Sequence, residues 1–155
     1  MRIDALELRI PPPAIGLLIA GAMWLVSRAT PALDVPLVSR AAVAIIFASA
    51  GLAIMLAGAL SFRRAQTTVN PLKPESSTSL VTGGIYAVTR NPMYLGVTCI
   101  LLGWAVFLAS LWALCGPVAF ILYVTRFQIV PEERVLRSLF GADYADYTAR
   151  VRRWL

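Results

Sequence analysis

Three stretches of the chain carry no charged residue: 10–27, 41–62 and 91–125. A helix that crosses a bilayer needs roughly 20 consecutive apolar residues, so each of the first two stretches suits one span. The third runs for 35 residues, too long for one crossing, and reads as a helical hairpin. The pattern therefore predicts about four transmembrane helices. They fall over 15–26, 41–60, Pro92 to about Ser110, and a return helix that leaves the apolar run at Thr125-Arg126. The hairpin turn is expected near Ala109 to Trp112, and a kink at Gly116-Pro117. The second span is rich in Ala and Gly (Ala44, Ala48, Gly51, Ala57, Gly58), the composition that lets helices approach closely in lipid.

The segments between these runs are polar or amphipathic. Residues 1–9 interleave Arg2, Asp4, Glu7 and Arg9 with apolar positions and predict a short interfacial helix stopped by Pro11-Pro12-Pro13. The mixture of acids and bases does not fit a cleaved signal peptide. Residues 65–82, with Asn70, Pro71, Pro74 and several Ser and Thr, read as a polar loop longer than a structural turn requires. After Pro131, the residues Val135, Leu136, Leu139 and Phe140 share one helical face, opposite Arg134, Arg137 and Ser138. Pro131 is placed to start this helix and Gly141 to end it. A second short helix then carries Tyr144, Tyr147 and Val151. The expected fold is a single-domain (1–155) all-α integral membrane protein with about four transmembrane helices plus short amphipathic C-terminal helices.

Composition agrees with that reading and charge adds an orientation. Hydrophobic residues make up 59% of the 155, well above a soluble domain. With four spans, the N-terminus, the 62–91 loop and the tail share one side. They hold 12 of the 14 Lys and Arg residues; Arg28 and Arg40 are left for the other. Positive residues gather on the cytoplasmic side, so both termini are expected in the cytoplasm, with the protein in the inner or plasma membrane. The net charge of +6 is thus read as topology and contact with membrane lipids rather than as nucleic-acid binding. The chain has no histidine, which removes the commonest general base and metal ligand. Cys99 and Cys115 lie in apolar runs without metal-ligand spacing, so no metal is expected.

The chemistry-bearing residues collect at one end of the predicted hairpin. Asn91-Pro92 reads as a helix N-cap followed by proline at the first helical position. The helix start at Arg90 and the helix exit at Arg126 are two ends of one hairpin and lie on one membrane face. Glu132 and Glu133 follow within two turns. Arg90, Asn91, Tyr94, Arg126, Glu132 and Glu133 can therefore converge at the cytoplasmic surface, with the tail tyrosines as a lid.

The order Arg90-Asn91-Pro92-x-Tyr94-x-Gly96, a hairpin, Pro131-Glu132-Glu133, Leu136, Phe140-Gly141-x-x-Tyr144, Tyr147 and Val151-x-Arg153 resembles the isoprenylcysteine carboxyl methyltransferase family, which is related to the phospholipid methyltransferases. The likeness covers about 67–155. It implies an integral membrane enzyme using S-adenosylmethionine, with a lipophilic acceptor entering from the bilayer. By that resemblance the cofactor contacts are Tyr86, Arg90, Asn91, Pro92, Tyr94, Gly96, Glu132 and Glu133, and the residues facing the reacting groups are Arg126 and Glu132. Asn91 stands where eukaryotic members usually have histidine, and Gln128 where the family has an arginine. Independently of the family, methyl transfer from a sulfonium is an in-line displacement that needs alignment and exclusion of water. A carboxylate or thiolate acceptor needs no general base, whereas an amine would require a glutamate or tyrosine to take a proton. Two other readings of the same residues are a membrane reductase of the sterol-reductase type with a nicotinamide cofactor, and a non-enzymatic membrane partner protein.

Overall fold

A computed structural model describes residues 7–65 and 79–155. Residues 1–6 of the expected interfacial helix and 66–78 of the long polar loop lie outside the described residues. The elements are α1 (Pro12–Ala29), α2 (Leu37–Arg64), a 3₁₀ turn (Gly84–Ala87), α3 (Pro92–Leu108), a second 3₁₀ turn (Leu111–Leu114), α4 (Cys115–Val124), a π turn (Thr125–Ile129) and α5 (Val130–Arg150). No strand occurs among the described residues. The protein is an all-α membrane protein. Three helical segments are long and apolar enough to cross a bilayer: Pro12–Ala29, Leu37–Arg64 and Leu111–Arg150. Pro92–Leu108 is a shorter apolar helix.

The shorter helix runs antiparallel along α2, and glycines set the distance. A Cβ on Gly58 would meet Pro92 and Met93 at 3.3 Å, one on Gly96 would meet the Gly51 carbonyl at 2.5 Å, and one on Gly103 would meet the Ala44 carbonyl at 2.9 Å. Three contacts spread over two turns or more hold the helices together at backbone distance, as small residues do in lipid. Across the other face of α3, α1 packs by Gly16 against Val97 and by the Trp104 indole N–H, which donates to the Ala20 carbonyl at 3.0 Å. Ile15, Met23, Leu101, Ala105, Phe120, Val124 and Ile129 form the shared core. Leu17, Leu18, Ile45, Ile46, Val118 and Leu122 are exposed and form the apolar outer wall that lipid solvates.

Several boundaries differ from the sequence expectation. α2 extends beyond 41–60 at both ends, because Pro36 can precede the first turn and nothing before Arg64 breaks it; its 28 residues span about 42 Å. α3 ends at Ala109 in the left-handed conformation (φ +50°). The Ala109 carbonyl accepts the Leu33 N–H at 2.7 Å, and Ser110 Oγ lies 3.0 Å from Thr30 Oγ1, so the hairpin turn is tied to the α1–α2 connection. Pro117 does not kink a helix. It falls in the first turn of α4, where its missing N–H has no intrahelical partner in any case.

Pro131 likewise starts no separate helix: the chain passes from α4 through the π turn into α5 without interruption. Gly141 does break α5, with φ +46° and ψ −115°, as expected from its position. Residues 7–9 form a turn rather than helix, with Leu8 at φ +56°, a left-handed conformation that costs a non-glycine residue about 1–2 kcal/mol.

Candidate functional site

The π turn explains how the chain continues past Pro131. A proline has no N–H for the carbonyl four residues earlier, which is that of Phe127. The Leu8 N–H donates to this carbonyl at 3.0 Å, so the N-terminal segment fills the gap that Pro131 leaves. Gln128, fully buried, donates from Nε2 to the Ile10 carbonyl at 2.8 Å. The Glu7 carboxylate then spans two arginines, Arg126 Nη1 at 2.7 Å and Arg134 Nη2 at 2.5 Å. The Arg126 hydrogen bond, helped by that of Arg134, outweighs burial and holds the Glu7 carboxyl below its ordinary range.

A second cluster lies where the start of α3 meets the chain's C-terminal end. Glu133 accepts a two-pronged pair from Arg153 (Nε–Oε1 2.9 Å, Nη2–Oε2 2.7 Å) and a third contact from Arg90 Nη1 at 3.3 Å. The Arg90 backbone N–H donates to the Arg152 carbonyl at 3.1 Å. Asn91 sits at the N-cap position but makes no side-chain cap. Its Nδ2 donates instead to the Arg153 carbonyl at 2.9 Å, and Pro92 follows as the first helical residue. The Tyr147 hydroxyl donates to the Tyr86 carbonyl at 2.8 Å, and the Tyr86 ring meets Phe62 edge-on at 5.3 Å.

Above this latch, the Tyr94 hydroxyl donates to the Glu132 carboxylate. Burial, with the neighbouring Glu133 charge, pushes Glu132 up to about 7 against that hydrogen bond. Burial also raises Tyr144, to about 12, and raises Tyr86 and Tyr147 further, so these phenols stay protonated.

Of the residues singled out from sequence, Tyr86, Arg90, Tyr94, Glu132 and Glu133 come together. Asn91 borders them and fastens the C-terminal end. Pro92 and Gly96 face α2, where they pack against Gly58 and Gly51. Arg126 turns toward Glu7, with its guanidinium 5.3 Å from the Phe127 ring centre. Two partners escaped the sequence reading. Glu7 had no signal beyond being an acid in a mixed segment, 119 residues from Arg126. Arg153 appeared in a spaced motif, but its pairing with Glu133 depends on how α5 folds back past Gly141.

The family model for phospholipid methyltransferases matches residues 39–143. The chain belongs to that family. As a phospholipid methyltransferase family member it is also similar to an uncharacterized protein of Haemophilus influenzae, 46% identical over 63 residues that cover 41% of this chain and all of that protein. It is 35% identical over 94 residues to Protein-S-isoprenylcysteine O-methyltransferase B of Arabidopsis thaliana, covering 57% of this chain and 45% of the plant protein. A probable protein-S-isoprenylcysteine O-methyltransferase of Oryza sativa subsp. indica is 37% identical over 106 residues, covering 64% of this chain and 50% of the rice protein. The chain spans about half the length of these plant relatives. No solved structure matches it. The family likeness read from the motifs thus has its counterpart in the matches, and the chain is a methyltransferase-family membrane protein.

In this family member the donor set suits an amino-acid-bearing cofactor such as S-adenosylmethionine. Arg90 Nε is buried without a hydrogen-bond partner, although the other end of its guanidinium is held by Glu133. Among the described residues, the group that hydrogen-bonds Glu132 is the Tyr94 phenol, and no arginine pairs with it. One open cation donor and one open carboxylate are what an α-carboxylate and an α-ammonium require. Glu133 is already engaged by two arginines and serves to hold Arg90 in place.

Proposed function

We propose that the protein transfers a methyl group from S-adenosylmethionine to a lipophilic or small acceptor at the cytoplasmic face of the membrane. The observation that carries this reading is the Tyr94–Glu132 pair beside the Arg90–Glu133–Arg153 latch at the mouth of a helical hairpin. Within it, Glu132 holds the ammonium end of the cofactor and Arg90 Nε its carboxylate. The cofactor supplies a methyl group already activated on a sulfonium. What remains for the protein is to align the acceptor and keep water away. Tyr86, Tyr144 and Tyr147 stay protonated and close the polar side, and the membrane-embedded helices close the other. Arg126 stands at the acceptor side, where α4 leaves the bilayer. Both termini and the site face the cytoplasm in this reading, supported by the 12 to 2 division of basic residues.

Ligand binding to the folded state raises its stability, by about 2.7 kcal/mol at 100 times Kd. S-Adenosylhomocysteine should therefore raise the melting temperature of the detergent-purified protein by several degrees, on the order of 2–4 °C per kcal/mol. Reduced nicotinamide adenine dinucleotide phosphate should leave it unchanged. A shift with the nicotinamide and none with S-adenosylhomocysteine would instead favour a reductase of the sterol type. A shift with neither would favour a non-enzymatic membrane partner.

A further inference from the structure

We propose that residues 7–10 are a positioning strap for the methyl-donor site. By seating the Leu8 N–H on the Phe127 carbonyl they hold the π turn, and the extra residue of that turn puts Glu132, rather than Pro131, opposite Tyr94. The consequence for the cofactor rests on the methyltransferase reading above; the register of α5 does not.

The register follows from helix geometry. Successive residues of an α-helix are about 100° apart. In the π turn the Val130 N–H reaches back five residues, to the Thr125 carbonyl, so the turn takes in one residue more than an α-helix would. Every side chain after it is set back by one position, about 100°. In an uninterrupted α-helix Glu132 would stand where Glu133 now meets Arg90 and Arg153, and Pro131 would stand opposite Tyr94. The open carboxylate and the engaged one thus owe their roles to the turn, in keeping with the frequent occurrence of π turns at functional sites. Further along, Leu136, which packs with Tyr144 and Tyr147, would move to the exposed place of Arg137.

The strap is seated on the turn itself. Its contacts fall on three consecutive turn residues: the Glu7 carboxylate on Arg126, the Leu8 N–H on the Phe127 carbonyl and the Ile10 carbonyl on the buried Gln128 amide. Glu7 also reaches past the turn to Arg134. Leu8 takes a left-handed backbone conformation (φ +56°) at this point. With α spacing, the Pro131 ring would strike the Phe127 carbonyl. The wider π spacing carries the ring clear and leaves that carbonyl for a donor from outside the helix. A backbone carbonyl without a donor at the end of a membrane helix is costly, so the strap and the wide turn stabilise each other.

The test uses the full chain in lipid nanodiscs and reads S-adenosylhomocysteine affinity by calorimetric titration. Leu8→Pro removes the N–H and imposes a φ of about −65°. It should weaken binding about tenfold or more, as loss of one charge-assisted hydrogen bond would. Leu8→Gly keeps the N–H and accepts the left-handed conformation, and should bind within about twofold of the wild type. A straightened chain, with Thr125 deleted and Pro131→Ala, has a plain α-helix in the same downstream register and should bind within about threefold of the wild type. In it Leu8→Pro should cost less than about twofold, the non-additivity that a double-mutant cycle measures. If Leu8→Pro does not fold with the native turn, the cycle is read from the yield of folded protein, which straightening should restore. Register is read separately from maleimide labelling rates in a Cys99→Ala, Cys115→Ala background. With Leu8→Pro, Leu136→Cys should label faster and Arg134→Cys, moving to the half-buried place of Val135, more slowly. Faster labelling at both positions is local unfolding and overturns the proposal, as do unchanged rates. An equal cost of Leu8→Pro in the native and straightened chains also overturns it, as does a straightened chain that fails to bind while the wild type binds. If the wild type does not bind S-adenosylhomocysteine, the methyltransferase reading fails, and the labelling pair still decides the register.

Discussion

At the scale of single residues, the site divides into groups that hold one another and groups that remain open to a ligand. Glu133 belongs to the first kind and Glu132 to the second, so their amides should behave differently. Glu132→Gln should weaken S-adenosylhomocysteine binding about tenfold or more, since a charge-assisted hydrogen bond contributes about 1.5–3 kcal/mol, and should leave the fold intact. Calorimetric titration of the two proteins checks this. Glu133→Gln should lower the melting temperature, because it releases Arg90 and Arg153 together. The elevated Glu132 carboxyl also has a pH signature. Its ordinary value is 4.5 and its value in the fold about 7, so between these the folded state holds the extra proton. Stability from this group therefore falls as pH rises through that window, and Glu132→Gln should flatten the slope. Cofactor affinity should run the opposite way, rising as Glu132 ionises toward pH 7, by at most about tenfold per pH unit. If affinity is the same at pH 5.5 and 7.5, Glu132 is not the partner of the ammonium. Asn91 was legible as a helix-start residue, but its task was not. Only the fold shows it holding the Arg153 carbonyl, at a distance of 62 residues.

At the scale of elements, the α2–α3 pair is the frame on which the site stands. Gly96, which the motif marked for the cofactor, lies in that pair against Gly51. Gly96→Leu should separate the helices and cost on the order of 2–5 kcal/mol, comparable to other severe packing errors. Gly21→Leu, at a position with open space around it, should cost far less. Thermal melts of both variants in the same detergent make the comparison. The apolar runs predicted α1, α2 and α3 with end errors of a few residues, because length and hydrophobicity decide a membrane helix. The π turn, the 3₁₀ start of α4 and the left-handed Ala109 had no such signal. They arise where one helix must adjust to its neighbours: at Pro131 and Leu8, and at Leu33 and Thr30.

At the scale of the whole molecule, the remaining prediction is orientation. In a Cys99→Ala, Cys115→Ala background, Leu33→Cys should react with a membrane-impermeant maleimide in intact cells. Leu155→Cys should react only after lysis. The reverse labelling pattern would place the site on the non-cytoplasmic face and remove its access to cytoplasmic S-adenosylmethionine.

The apolar runs were enough to read an all-α membrane protein of about four apolar helices and its hairpin. These are properties of local composition against a solvent of fixed thickness, and they need no tertiary information. The spaced Asn-Pro-x-Tyr and Glu-Glu residues were enough to read the methyltransferase family. What only the tertiary structure decided is which charges neutralise each other: Glu133 with Arg90 and Arg153, Glu7 with Arg126 and Arg134, and Glu132 with a phenol. The physical reason is that an ion pair depends on distances of 2.5–3.3 Å between residues up to 127 apart in sequence, and such distances exist only once the helices have packed.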